Sequence, residues 1–346
     1  MPRCEALDWM KAAGISVIVY GHVADATTLN WTPPIYAKQL GVACFLFAAG
    51  FALARDRRPA REAIVSRLLP VYLFGISAAL LMTVIGIVFG PTPAPSNFLP
   101  FIAGINVAFN NFPANPTTWY LGTYVHALLL WAIVFSGRRV GLSVLAVALV
   151  IEIGARVVLQ EVAGSYVAYM LLTNWLGSFI AGMFMGARPT TERAGFAPGY
   201  VIALAVILVT SSLSMGAIQP AMGFPFMTPS GGSIAGLFGF SVVISTLYLA
   251  TAFLMFKGFE RVPAPAAVRY LARNSLIIVL LHMPLYFALN PVLMRSGWSY
   301  TARVVLELIL CLPVLAWLSE IITNAVSPKA MANRLSGFIP ARARAA

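Results

Sequence analysis

Charge is what this sequence has least of. Of its 346 residues only 10% are Asp, Glu, Lys or Arg, while 60% are hydrophobic and the mean hydropathy is +0.85. A soluble domain carries about 25% charged residues, so composition excludes one or two ordinary soluble domains. Acids are the scarcer sign, 11 against 23 basic residues. The three cysteines, Cys4, Cys44 and Cys311, are scattered, with no CxxC or Cys/His ligand spacing. That excludes a disulfide framework and a zinc site, and reads them as small buried residues. No metal ligand set is expected, and no tightly bound cofactor. There is no internal repeat, and no inverted pair of broken helices of the kind that marks many transporters.

What is present is a succession of apolar runs of membrane-spanning length. They fall near 11–29, 36–54, 68–90, 118–136, 140–158, 167–187, 197–215, 233–256, 274–294 and 303–324. The expected fold is all-α: a polytopic integral membrane protein of about ten transmembrane helices, its lipid bilayer the first partner. The first run, LDWMKAAGISVIVYGHVADA, imitates a signal peptide, with Arg3 and Lys11 ahead of it and Ala24-Asp25-Ala26 as a mock cleavage site. Glu5 and Asp8 dilute its basic region and His22 interrupts its apolar one, so it is read as a retained first span.

Lysine and arginine orient such a chain, because they accumulate in cytoplasmic loops. With the N-terminus inside, Arg3, Lys11, the five arginines between Arg55 and Arg67, Arg138, Arg139, Arg188, Arg193, Lys257, Arg261, Arg269, Arg273, Lys329, Arg334, Arg342 and Arg344 all lie on the inner side. Only Lys38, Arg156, Arg295 and Arg303 fall outside. Both termini are thus expected in the cytoplasm, and the net charge of +12 is mostly topology, not a nucleic-acid patch. Residues 1–328 read as a single transmembrane domain and 329–346 as a short basic cytoplasmic tail, with no soluble domain appended. The uncharged outer loops 91–117 and 216–232 fit either a substrate entrance or plain connectors.

Ionisable residues within spans are costly and are functional candidates by default. The only histidines, His22, His126 and His282, all fall within spans, at depths of roughly 12–16 Å by helical rise. A lone buried histidine is more often a hydrogen-bonded packing residue, and His126 is read so. Glu152 with Arg156 and Arg303 with Glu307 stand four apart and can neutralise each other at the outer membrane edge, a structural role. Glu320 has no obvious partner in sequence. Asp25 lies three residues beyond His22, where it either orients the imidazole or is solvated at the boundary. The run RDRRPAREAIVSRLLP fits a topology signal attracted to anionic headgroups and equally a phosphate clamp.

Several segments together resemble the membrane-bound acyltransferase-3 family. Arg3, Leu7-Asp8 and Lys11 followed by His22 are similar to its first-helix signature, a basic residue and a histidine at that separation. GVACFLFAAGF is similar to its aromatic-rich second helix, and Arg67-Leu68-Leu69-Pro70 to the basic edge of its third. Thr118-Trp119-Tyr120-Leu121 resembles a Trp-aromatic-Leu element, and Asn274-Ser275-Leu276 with His282 and Pro284 a late Asn-Ser…His-x-Pro segment. The chain departs from the pattern at Ala49, where serine is common, and at Lys11, where arginine is usual.

The resemblance implies an acyl-CoA-dependent O-acyltransferase, moving an acyl group, most simply from acetyl-CoA, to a hydroxyl of a glycan, glycolipid or related acceptor. It also implies the bacterial inner membrane as location, and polysaccharide O-acetylation as the kind of modification. His22 is the expected general base, with Asp25 or Asp8 in support. Lys11, Arg55, Arg58, Arg61 and Arg67 are the expected donor-phosphate ligands. Trp119, Tyr120, Asn274, Ser275 and His282 are expected along the acceptor cavity. A transporter or flippase for a small polar or lipid-linked substrate, and a non-catalytic scaffold, are the rivals. The scarcity of embedded carboxylates counts against the first, and the Lys11–His22 spacing against the second.

Overall fold

The computed structural model describes residues 4–26, 37–89, 97–111, 116–188, 198–222 and 233–326, and all their regular structure is helical. The helices are α1 (Glu5–Ala26), α2 (Ala37–Ala54), α3 (Ala60–Phe89), α4 (Phe98–Ile102), α5 (Trp119–Leu130), α6 (Leu142–Val162), α7 (Ser165–Met170), α8 (Leu176–Gly186), α9 (Pro198–Met222), α10 (Ile234–Phe259), α11 (Ala266–Arg295) and α12 (Tyr300–Ala325). The tail 329–346 and most of the 216–232 loop lie outside the described residues.

Among the described residues, four helical segments are long and apolar enough to cross a membrane: Ala60–Val88, Leu142–Val162, Ile234–Phe259 and Ala266–Leu289. Shorter apolar helices cover Lys38–Ala54, Trp119–Phe135, Pro198–Thr210 and Ile309–Ala325. Large apolar side chains such as Val84, Ile87, Val150, Val158 and Ile202 stand exposed along these helices. Contiguous apolar surface on that scale needs lipid, not water, beside it. The chain is an integral, multi-pass membrane protein.

Each apolar run forms a helix, with two differences. α3 and α11 begin eight residues before the runs at 68 and 274, because Ala, Arg and Glu continue a helix as readily as Leu does. The sixth run is broken into α7, a 3₁₀ turn over Leu172–Trp175 and α8. Thr123 of α5 braces that break, its Oγ1 donating to the Met170 carbonyl, and within the break the Trp175 indole donates back to the Tyr169 carbonyl at 2.9 Å.

α1 packs on α2 and α11, and α2 packs on α8. Close approach at the second contact depends on glycine. A Cβ on Gly182 would fall 2.0 Å from the Phe47 carbonyl oxygen, and one on Gly50 2.1 Å from that of Phe179. Backbones this near are the usual way that helices associate in lipid. Phe47, Phe51 and Phe256 fill the space beside the contact, with ring centroids 5.2–5.4 Å apart.

The bundle has two distinct ends. At one, the start of α1 meets the ends of α2, α8 and α10. Arg55 Nε donates to the Gly186 carbonyl at 3.1 Å, Trp9 Nε1 to that of Val262 at 3.2 Å, and the Ala264 N–H to Glu5 at 2.9 Å. Glu320 has partners here: the Tyr270 hydroxyl at 2.9 Å and Arg273 at 3.0 Å. At the other end, Ile18 and His22 of α1 share a cavity with the first turns of α2 and α5 and with α7.

Glu152 and Arg156 do pair, at 2.9 Å, but they do not look after themselves at a membrane edge. Each is only 1% exposed inside the bundle. Arg156 also donates to Asn174 Oδ1, to Ser245 Oγ at 2.9 Å and to the Ser241 carbonyl at 2.7 Å. Glu152 accepts from the Gly177 N–H and Ser245 Oγ, both at 2.6 Å. The pair therefore fastens α6 to α8 and α10. The side chain of Glu307 lies outside the described residues. Removing one partner strands the other charge, so Arg156→Met is expected to cost about 3–5 kcal/mol. Adding Glu152→Leu should recover part of it. Thermal melts of the single and double variants in detergent read both values.

Candidate functional site

The second half of α1 and the first turn of α2 enclose, with α5, α7 and α11, a cavity of about 110 Å³ lined by His22, Lys38, Gln39, Trp119, Tyr169 and His282, among others. One water needs about 10–15 Å³ of such space, so the cavity has room for several small groups. Two features bring α1 and α2 together around it. Gly14 and Gly41 face one another, with a Cβ on Gly41 falling 2.5 Å from the Gly14 oxygen. Gly21 leaves room for the stem of Lys38, whose Cγ would lie 2.3 Å from a Cβ there.

The two histidines meet although 260 residues separate them. His282 Nε2 lies 2.9 Å from His22 Nδ1, with ring centroids 4.8 Å apart and planes tilted by 31°. His282 is 3% exposed, and its Nδ1 is 3.2 Å from the Ile278 carbonyl. That carbonyl can only accept, so the geometry assigns a hydrogen to Nδ1 of His282. Opposite them stands an aromatic wall. Trp119 lies 4.9 Å from Tyr169 and 6.2 Å from Trp175, and Phe45 lies 6.1 Å from Tyr120.

The sequence-predicted residues divide between the two ends of the bundle. His22, His282, Trp119 and Tyr120 line the cavity. Asn274 and Ser275 do not: they lie two turns earlier on α11 and bond their own helix, Asn274 to the Tyr270 carbonyl and Ser275 to that of Ala272, both at 3.0 Å. His126 is also outside the cavity, its imidazole meeting the Gly104 backbone. Asp8 is on the first turns of the same unbroken helix as His22, about 21 Å away by helical rise, which removes it as a direct support. Asp25 continues α1, and its side chain lies outside the described residues. Lys11 is about 16 Å from His22 along α1, toward the end where Arg55 sits.

The arginine loop is organised by an acid. Asp56 accepts from Arg58 at 2.6 and 2.9 Å and from Arg67 at 2.9 Å, and Arg58 also donates to Ser66 at 2.8 Å. Arg55 lies over the Phe51 ring, 4.3 Å from its centroid, and Arg61 is exposed. The loop is a braced cluster in which Asp56 holds two of the expected donor ligands. Lys38, Gln39, Tyr169 and Asp56 were not among the expected site residues. Of these only Asp56, one of two acids in a basic run, and Lys38, a rare outer cation, carried a visible signal. Among the described residues no group of three or more His, Cys, Asp or Glu could hold a metal ion.

Fold and site together define a helical membrane protein with a histidine pair facing an aromatic cavity at one end and a braced arginine cluster at the other. The acyltransferase 3 family model, described as an acyltransferase domain, matches residues 5–320. The chain belongs to this family and is a membrane acyltransferase, which implies an acyl donor and an acceptor. No curated protein and no solved structure matches it.

Burial opposes ionisation of Asp56, but the hydrogen bonds from Arg58 and Arg67 outweigh it and hold its carboxyl well below the usual carboxylate range. The stabilisation is therefore full above the unfolded pKa of about 4 and is lost only as pH falls toward the folded value. Asp56→Asn is expected to lower the melting temperature by an amount constant between pH 6 and pH 8 and shrinking below about pH 4. Melts across that range check it.

Proposed function

We propose that the protein is an acyl-CoA-dependent O-acyltransferase of the bacterial inner membrane, acetyl-CoA being the simplest donor and a glycan or lipid-linked sugar the acceptor. It spans the bilayer about ten times in one domain, residues 1–328, with both termini and the basic tail in the cytoplasm. The observation that carries the reading is the separation along α1 between Lys11, with the arginine cluster beyond it, and His22 at the cavity. That distance, about 16 Å, is of the order of an extended pantetheine arm. The donor's phosphates cannot enter hydrocarbon, so they stay with Lys11, Arg55, Arg58, Arg61 and Arg67 on the cytoplasmic side, where guanidinium forks match their oxygens. The arm carries the thioester inward to a cavity of about 110 Å³, which favours a short acyl group. The acceptor approaches from the opposite face, past Trp119 and Tyr120, whose rings suit stacking on a sugar.

His22 acts as general base. A neutral His282 whose Nδ1 hydrogen goes to the Ile278 carbonyl presents Nε2 as an acceptor. His22 Nδ1 then carries the hydrogen of the 2.9 Å contact, which leaves the lone pair on its Nε2 for the acceptor hydroxyl. His282 is thus a positioning residue that selects the tautomer of His22, as a carboxylate does in other base dyads. Asp25, one turn further along α1, is the second candidate support.

Transfer of label from radiolabelled acetyl-CoA to a panel of glycan acceptors tests the assignment. His22→Ala should lower kcat about 10²–10⁴-fold, and His282→Phe should lower it with the donor KM unchanged. Arg67→Ala should raise the donor KM instead. Transfer by His22→Ala at the wild-type rate contradicts the base. An Arg67→Ala effect confined to membrane insertion would leave the loop as a topology signal alone. Substrate flux in vesicles without transfer by any variant would favour transport.

A further inference from the structure

Gln39 is fully buried, 0% exposed, and neither Oε1 nor Nε2 of its carboxamide has a hydrogen-bond partner among the described residues. A buried amide left unpaired is destabilising, and native structures retain such groups where something outside the fold completes them. Gln39 lines the same cavity as His22 and His282. It is also the third residue of α2, whose first N–H groups have no intrahelical acceptor and carry the positive end of the helix dipole. Lys38, the residue before it, lines the same corner. The corner is rich in donors and suits an oxygen that becomes negative.

The histidines are engaged elsewhere. His282 Nδ1 faces the Ile278 carbonyl and its Nε2 faces His22 Nδ1, so the remaining nitrogen, His22 Nε2, is kept for the acceptor's proton. The carbonyl oxygen under attack needs a different donor. We infer that Gln39 contacts the substrate, its Nε2 amide hydrogen-bonding the acyl carbonyl oxygen and holding the oxyanion that forms there, with Lys38 and the α2 N-terminus beside it. The inference rests on the acyl-CoA reading given above.

The step balances without a further reagent. The acceptor hydroxyl gives its proton to His22 Nε2 as its oxygen bonds to the acyl carbon, and the carbonyl π pair moves onto the oxygen at Gln39. Collapse returns that pair, breaks the C–S bond and expels the coenzyme A thiolate, which takes the proton from the His22 imidazolium. Ester and free thiol are the products.

Gln39→Met, an apolar near-isostere, and Gln39→Leu, an apolar side chain of similar volume, both lack the donor and test this in the full-length protein in detergent. The probes are acetyl-CoA, followed by thiol release, and [1-13C]acetyl-CoA, followed by isotope-edited infrared spectra of the bound thioester. Gln39→Met should melt at or above the wild-type temperature, since it removes an unpaired amide. Both variants should lose about 10²–10³-fold in kcat with little change in the donor KM. The bound carbonyl should absorb at lower frequency in wild type and in His22→Ala than in either Gln39 variant. A wild-type kcat and carbonyl frequency in Gln39→Met overturns the assignment. So does a loss of turnover in both variants that follows a matching loss of melting temperature, which would make Gln39 structural. A bound thioester whose carbonyl band is unperturbed in wild type overturns Gln39 alone, whereas a wild type that neither binds acetyl-CoA nor releases thiol sinks the acyl-CoA reading and takes this inference with it.

Discussion

Hydrocarbon offers a polar group no water, and the polar architecture of this protein follows from that constraint. Every charge that the helices carry inward has to be met by another side chain, by backbone or by a substrate. Arg156 is met four times over, by Glu152, Asn174, Ser245 and the Ser241 carbonyl, and becomes a fastening for three helices. Arg58 and Arg67 are met by Asp56 and become a braced surface. His282 is met by its own helix and by His22. Gln39 and Asn106 are buried with both polar side-chain atoms unmet among the described residues, and of the two it is Gln39 that stands in the cavity.

The division of labour between the two ends of the bundle is a consequence of the same constraint. On the proposed reading the donor is an acyl-CoA, which cannot be bound in one place, because its phosphates need cations and water while its thioester needs water kept away. α1 measures the interval between the two requirements, with Lys11 near one end and His22 near the other. Its glycines bring α2 close enough for Lys38 and Gln39 to share the cavity, and α11 supplies the second imidazole. The aromatic wall of Trp119, Tyr120 and Tyr169 closes the far side.

Much of this was legible from residue types. The apolar runs locate the helices because lipid contact demands them. They misplace the starts of α3 and α11, since hydropathy marks where lipid begins and not where helical hydrogen bonding begins. The break between α7 and α8 was invisible, because it is braced by a tertiary bond from Thr123 to the Met170 carbonyl. Paired motifs pointed to His22 and to His282 separately, but their contact joins helices remote in sequence, which spacing within one chain cannot show. Asn274 shares a motif with His282 yet serves its own helix, so membership of a motif did not mean membership of the cavity. Gln39, neutral and at the edge of an apolar run, carried no flag until its unpaired amide was seen in place.

The central claim is that donor and acceptor reach the reaction from opposite faces of the membrane. Sealed vesicles containing the protein in one orientation, with labelled acetyl-CoA supplied only at the face bearing the Arg55–Arg67 loop and acceptor only at the other, test it directly. The account predicts labelled ester on the acceptor side and free coenzyme A on the donor side. Transfer that occurs only when donor and acceptor share a face would contradict it.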